Sequence, residues 1–262
     1  MSSQPLKPHS PLLSIKGLDH IRILVHDLEA AKDIYRDLLG FLVPPRGQKG
    51  IHPLGTENSV ARFYDGFYLE LLAIHDSATA AVRRPEMVRF LQHSEGGHSV
   101  LLNVASAQET ADTLRARGFP VSAPIPGSIM RATESVPLPP GWWLVNFEYA
   151  PLPADLLSFI QYQRSWEERQ ADRSREPPHP NTATRGLAVW IAVPDAATAA
   201  QYFASLGLPS RRTLHVSHLG AMAHEVQVGD DQCLLLLQSL QQDSIVDHFL
   251  KECGSGGVMG VS

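Results

Sequence analysis

Two histidines and a glutamate in the first half of the chain have the types and spacing that metal chemistry needs. Glu70 interrupts the apolar run at residues 67–74, where a buried carboxylate costs several kcal/mol unless it is paired or bound to a cation. His20 and His98 occupy matched positions, since each lies 20 residues before a Gly-Phe pair. Two imidazoles and a carboxylate form a mixed donor set for a divalent metal ion.

The elements around His20 and Glu70 form a strand–helix–strand–strand order. Residues 17–25 alternate in polarity and predict a strand. Residues 28–39 have helical spacing, with Asp27 as the N-cap and Gly40 as the C-cap. Asp65-Gly66 is a hairpin signal, and it separates two strand-like runs at residues 59–64 and 67–74.

The same order begins again 78 residues later. Residues 98–104 predict a strand and residues 108–117 a helix, which mirrors the first unit. Later strands are predicted at residues 131–136, 142–149 and 157–162.

A third unit follows a charged, proline-containing segment at residues 163–185, which predicts a helical turn and then a linker. This unit has no histidine or carboxylate at the positions that match His20 and Glu70. We therefore expect residues 17–162 to carry the site, and residues 186–262 to serve as a structural partner, a pocket cover or a homodimer surface. Its predicted elements are strands at 187–193, 215–228, 232–238 and 256–262 and helices at 195–206 and 244–252.

Composition excludes several function classes. The net charge is −5 and the pI is near 6.2, so no basic nucleic-acid footprint is present. No apolar run reaches the roughly 20 residues of a membrane helix. The two cysteines form no CxxC pair, which argues against a disulfide scaffold or a structural zinc. The polar start lacks the pattern of a signal peptide, so we expect a cytoplasmic protein whose partner is a small molecule.

Four short segments resemble the βαβββ module of the vicinal-oxygen-chelate superfamily. They are residues 17–20 (Gly-Leu-Asp-His), 27–31 (Asp-Leu-Glu-Ala-Ala), 38–41 (Leu-Leu-Gly-Phe) and 68–71 (Tyr-Leu-Glu-Leu). Residues 52–58 and 178–181 are similar to a glyoxalase-like subgroup. The resemblance implies an α+β fold in which tandem βαβββ modules pair into cupped mixed sheets around a divalent metal.

In this superfamily the metal ligands come from the first and last strands of two paired modules. Carried over residue by residue, the resemblance implies Ni, Zn, Co, Mn or Fe bound by His20, Glu70, His98 and Gln161. Gln161 holds this place if residues 157–162 are the last strand of the second module. If residues 142–149 are last, Glu148 takes it.

Further side chains are expected to line the pocket and bind the substrate. Arg22 shares a strand face with His20, because strand side chains alternate. The loop that enters the sheet supplies His52, Thr56 and Asn58.

Three functions are compatible with these residues. The first is a metal-dependent lyase or isomerase in which the metal acts as a Lewis acid; because Gln161 cannot take a proton, Glu70 would serve as both ligand and catalytic base. The second is a non-haem Fe(II) dioxygenase that uses His20, His98 and Glu70. The third is a protein that binds a small molecule in the same cup without catalysis.

Overall fold

The computed structural model describes residues 13–128, 139–149, 156–173, 175–253 and 256–262. Within these ranges, eight strands form one mixed sheet in the order β2-β3-β4-β1-β5-β8-β7-β6. Their bounds are β1 Ile15–Leu24, β2 Gly50–His52, β3 Thr56–Arg62, β4 Tyr68–Ile74, β5 Gly96–Val104, β6 Ile125–Gly127, β7 Trp142–Asn146 and β8 Leu157–Tyr162.

The two predicted modules join through the centre of this sheet. The first strands of the two modules, β1 and β5, pair antiparallel. Each first strand also pairs in parallel with the last strand of its own module, β1 with β4 and β5 with β8. The predicted pairing of tandem βαβββ modules into a cupped mixed sheet is therefore confirmed.

A second sheet, of five strands in the described residues, has the order β10-β11-β12-β9-β13. Its strands are β9 Ala188–Ala192, β10 Ser210–Val216, β11 Ala221–Gln227, β12 Cys233–Ser239 and β13 Gly257–Val261. The helices are α1 Leu28–Asp33, α2 Ser77–Arg83, α3 Pro85–Leu91, α4 Ala107–Ala116, α5 Trp166–Arg173, α6 Ala196–Leu206 and α7 Ile245–Cys253.

The largest hydrophobic cluster lies on one face of the large sheet, and two smaller clusters, which include Leu72 and Leu101, leave part of the other face open. Leu69 and Leu71 of β4 belong to the same buried cluster as Ile191 of β9 and Phe203 of α6. Because strand side chains alternate, the residues between them point to the opposite face. Glu70 therefore points away from this core.

Local signals explain where the elements begin and turn. Asp27 accepts hydrogen bonds from the backbone N–H groups of Glu29 (2.9 Å) and Ala30 (3.0 Å) at the start of α1, which confirms the predicted N-cap. The helix continues as a π-helical turn over Ile34–Leu38. The predicted hairpin joins β3 to β4, and Gly66 adopts a φ of 98° there, which favours glycine.

The structure differs from the sequence prediction at residues 215–228 and in the helices α2 and α3. Residues 215–228 form parts of two strands rather than one, because the chain reverses between β10 and β11 at Gly220, whose φ is 59°. Helices α2 and α3 were not predicted; each is only seven residues long, too short to show a clear helical period. The predicted strand at residues 131–136 lies outside the described residues. In the described ranges, no helix is long and apolar enough to cross a membrane.

Candidate active site

The open face of the large sheet forms a cavity of about 670 Å³. Alternate residues of neighbouring strands point into it, as the period of two requires. They include His20 and Arg22 from β1, Asn58 from β3, and Tyr68 and Glu70 from β4. Residues of α5 also line this cavity.

A β-bulge in β1 brings Asp19 beside His20. Leu18 and His20 pair with the consecutive residues Leu102 and Leu101 of β5, so Asp19 is an extra residue without a partner in the ladder. Asp19 is fully buried, and its Oδ1 lies 2.7 Å from His20 Nδ1. Because an ionised carboxylate only accepts hydrogen bonds, His20 Nδ1 carries the proton and Nε2 faces Glu70.

Asp19 is held as an anion by three more donors. Tyr162 donates its hydroxyl to Oδ1 at 2.7 Å, while Arg169 Nη2 and Asn103 Nδ2 donate to Oδ2 at 3.0 and 3.1 Å. Burial by itself raises the pKa of Asp19, but the hydrogen bond from His20 and the charge of Arg169 hold it well below its usual value. This network fixes the position of the His20 ring.

Glu70 is the second buried carboxylate of the site. Asn58 Nδ2 donates to its Oε1 at 2.6 Å, and Arg22 Nε donates to its Oε2 at 3.3 Å. His20 Nε2 lies 3.4 Å from Oε2, and His52 Nε2 lies 4.0 Å from Oε1. Burial raises the pKa of Glu70, but the hydrogen bond and charge that His20 supplies in its protonated form, together with the charge of Arg22, hold it well below its usual value.

The family of the chain follows from a comparison with known sequences. Residues 18–207 match the model of the glyoxalase-like domain. The chain belongs to the glyoxalase-like domain family. This confirms the predicted vicinal-oxygen-chelate superfamily. No curated protein sequence matches the chain.

Solved structures share the glyoxalase-like fold. A hypothetical protein from Staphylococcus aureus superposes with a TM-score of 0.65 at 13% identity, covering 86% of both chains. A triple mutant of 4-hydroxymandelate synthase from Streptomyces coelicolor gives 0.62 at 14% identity, covering 95% of this chain and 71% of its own. A methylmalonyl-CoA epimerase from Streptomyces coelicolor gives 0.42 at 22% identity, covering 58% of this chain and 100% of its own. At 13% and 14% identity, the first two structures show a shared fold and do not identify the reaction.

The structure brings most of the predicted site residues of this glyoxalase-like chain to one cavity. The predicted residues that line it are His20, Arg22, His52, Thr56, Asn58 and Glu70. Their proximity to one another is therefore established, whereas their roles remain proposals.

Gln161 does not join them. It does lie on β8, the last strand of the second module, but its neighbours Ile160 and Tyr162 are the ones that line the cavity. Alternation sends the Gln161 side chain to the other face. There its Oε1 accepts a hydrogen bond from Ala107 N at 2.8 Å, at the start of α4.

His98 also lies apart from the cavity lining. The register of β1 and β5 shifts between Arg22 and Ile23, which leaves His98 as the extra residue of a second bulge. Its ring packs edge-on against Phe90, with 5.1 Å between the centroids. Burial, followed by the charges of Arg22 and Arg84, lowers the pKa of His98 to about 4.

The predicted four-ligand metal centre does not fit this arrangement. Of its donors, only His20 and Glu70 meet, and no group of three or more His, Cys, Asp and Glu side chains within the described ranges is placed to hold a metal ion. The guanidinium of Arg22 lies against Glu70 Oε2, where its permanent charge repels a divalent cation. The two-histidine, one-carboxylate set of a non-haem iron dioxygenase is incomplete as well, because His98 does not join His20 and Glu70 in such a group.

Several residues of the site were missed at the sequence level. Asp19 interrupts an apolar strand as Glu70 does, so the same argument about a buried carboxylate points to it. Tyr162, Arg169 and Arg173 had no such signal, because only the fold brings the segment after the second module back over the cavity.

Proposed function

We propose that this chain is a glyoxalase-like isomerase or lyase that moves a proton on a small molecule bound in the cavity. The observation that supports it is a series of contacts that leads to the cavity: the buried Asp19 holds His20, and His20 faces Glu70, which is paired with Arg22. A buried histidine oriented by a carboxylate is an arrangement suited to proton transfer.

His20 is the group that takes the proton from the substrate and returns it. Its Nδ1 is occupied by Asp19, so Nε2 is the atom available for transfer. Two carboxylates flank the ring, Asp19 at 2.7 Å and Glu70 at 3.4 Å. Both stabilise the imidazolium that forms when His20 takes a proton.

Glu70 is better suited to stabilising charge than to acting as the base expected from the sequence. A carboxylate whose pKa is held far below neutral has little tendency to take a proton at neutral pH. Arg22 is placed to stabilise negative charge that develops on a substrate oxygen, which is a common role of arginine in active sites. No step of this proposal passes through a metal ion.

Solvent proton exchange tests the proposal with a panel of small molecules in place of a single substrate. The protein, freed of metal by a chelator, is incubated in D₂O with a set of 2-hydroxyketones and 2-oxoacids, and deuterium uptake at carbon is followed by NMR. We expect exchange of at least one compound. His20→Gln should slow it by about 10²–10⁴-fold, the usual contribution of general acid–base catalysis.

Glu225→Gln is the matched control. Glu225 is also a buried carboxylate that accepts from an arginine, Arg212, but it lies on β11 of the smaller sheet. This variant should exchange at the wild-type rate. Exchange that survives His20→Gln unchanged would refute the role of His20, and binding of panel compounds without exchange of any of them would refute catalysis.

A further inference from the structure

Two buried arginines on α5 line the cavity. Arg169 and Arg173 are one helical turn apart, both line the cavity, and they are 9% and 8% exposed. Arg169 donates to Asp19, and its guanidinium carbon lies 3.4 Å from the centroid of the Tyr162 ring. The guanidinium carbon of Arg173 lies 5.3 Å from the centroid of the Tyr68 ring.

Arg173 lacks an acidic partner in the part of the chain that the structure describes. Its Nη1 is buried and makes no hydrogen bond there. The nearby carboxylates are already engaged: Asp19 with Arg169, Asp172 with Arg164 at 2.6 Å, and Glu176 with Arg62 at 3.7 Å. Asp65 accepts from Phe67 N and Gly186 N.

The buried charge of Arg173, unpaired within the described residues, favours the binding of an anion. An unpaired charge that is buried destabilises a protein by several kcal/mol. Burial and the neighbouring charge of Arg169 lower the pKa of Arg173 by more than the charge of Asp19 raises it. A negatively charged group in the cavity would remove this penalty and gain charge-assisted hydrogen bonds.

The position of Arg173 relative to the reaction centre sets the size of the ligand. Arg173 faces Tyr68, which precedes Glu70 by two residues on β4. Two residues of a strand span about 7 Å. One small molecule can therefore reach from Arg173 to the His20–Glu70 pair.

We propose that Arg173 binds an anionic group of the substrate, a carboxylate or a phosphate, and so anchors the reacting carbon over His20. This deepens the function proposed above, on which it rests, by naming the chemical class of the substrate. It also assigns a binding role to α5, in the segment where the sequence predicts a helical turn and a linker.

Anion binding by the apo protein tests this assignment independently of catalysis. Malonate and inorganic phosphate are titrated by calorimetry at constant ionic strength, and the thermal unfolding midpoint is measured with and without each probe. We expect at least one probe to bind. Arg173→Met should weaken it by about 10-fold or more, since a hydrogen bond to a charged group contributes about 1.5–3 kcal/mol.

Two controls separate binding from a structural role. Arg175→Gln removes an exposed arginine two residues away and should bind as the wild type does. Without probe, Arg173→Met should unfold at the wild-type temperature or above it, because it removes an unpaired buried charge; a packing role predicts a lower temperature. Glu70→Gln should still bind the probe. A failure of the proton-transfer proposal can therefore be distinguished from a failure of the anion-binding proposal.

The outcomes decide the proposal and the identity of the anion. Binding of malonate alone indicates a carboxylate, and binding of phosphate alone indicates a phosphate. If Arg173→Met does not fold, Arg173→Lys serves instead, and it should bind more weakly because an ammonium cannot form the paired hydrogen bonds of a guanidinium. Equal affinity in the wild type and the Arg173 variant, or no binding of either probe, would overturn the assignment.

Discussion

The ion pair between Glu70 and Arg22 should contribute strongly to stability as well as to the site. Both side chains are buried, at 9% and 11% exposure, and their closest atoms are 3.3 Å apart. Removing one member of a buried pair typically costs about 3–5 kcal/mol, because the other charge is left uncompensated. Asn58 can still donate to the amide oxygen of Glu70→Gln, so we expect the lower value, about 3 kcal/mol. For a chain of this size that lowers the melting temperature by roughly 6 °C, at about 2 °C per kcal/mol.

A double-mutant cycle measures the pairwise contribution directly. Glu70→Gln, Arg22→Met and the double variant are compared by chemical unfolding at pH 7. Because the double variant leaves no unpaired charge, it should be more stable than the sum of the single effects by about 2 kcal/mol. The same cycle on Glu225 and Arg212 is the control; Arg212 is 60% exposed, so its coupling should stay below about 1 kcal/mol. A coupling between Glu70 and Arg22 no larger than the control would refute the reasoning.

Three further predictions test individual residues. Since burial holds the pKa of His98 near 4 in the folded protein and the ordinary value is 6.5, the unfolded chain takes the proton first. Stability should fall by about 3 kcal/mol as the pH drops from 6.5 to 4, at about 1.4 kcal/mol per unit, and His98→Gln should remove this slope in unfolding curves recorded across that range. Gln161→Ala should cost about 1 kcal/mol through the lost bond to Ala107 N without changing the metal content measured by mass spectrometry; a loss of bound metal would restore Gln161 as a ligand. Asp19→Asn should lower the melting temperature and impair proton exchange together, because it leaves Arg169 unpaired and releases His20; unchanged exchange would contradict the positioning role of Asp19.

The sequence predicted the modules well because their signals are local. The strand pattern of β1, the Asp27 cap and the Asp65-Gly66 turn each depend on a few neighbouring residues, and the structure confirms the strand, the cap and the turn. Glu70 was identified as a site residue by a local argument as well, since a carboxylate in an apolar strand needs a partner.

The sequence did not correctly predict which side chains lie beside His20 and Glu70. The offset of 78 residues matched His98 with His20 along the chain, but the β-bulges at Asp19 and His98 in the β1–β5 pair change which residues share a face. Gln161 was one residue out of phase, and with a period of two a single step sends a side chain to the opposite face. The periodicity of the sequence does not show where a bulge occurs, so it could not correct the assignment of His98 or Gln161 as a metal ligand.

By itself, the amino-acid sequence determined the βαβββ modules, their tandem order, the family and the identity of the buried carboxylate Glu70, because these depend on short-range patterns. Only the tertiary structure decided which polar side chains contact each other, as Asp19 does His20 and Arg22 does Glu70. It also decided that the two arginines of α5 line the cavity. Electrostatic contacts depend on distances between residues as far apart as Asp19 and Arg169, and such distances exist only once the chain has folded.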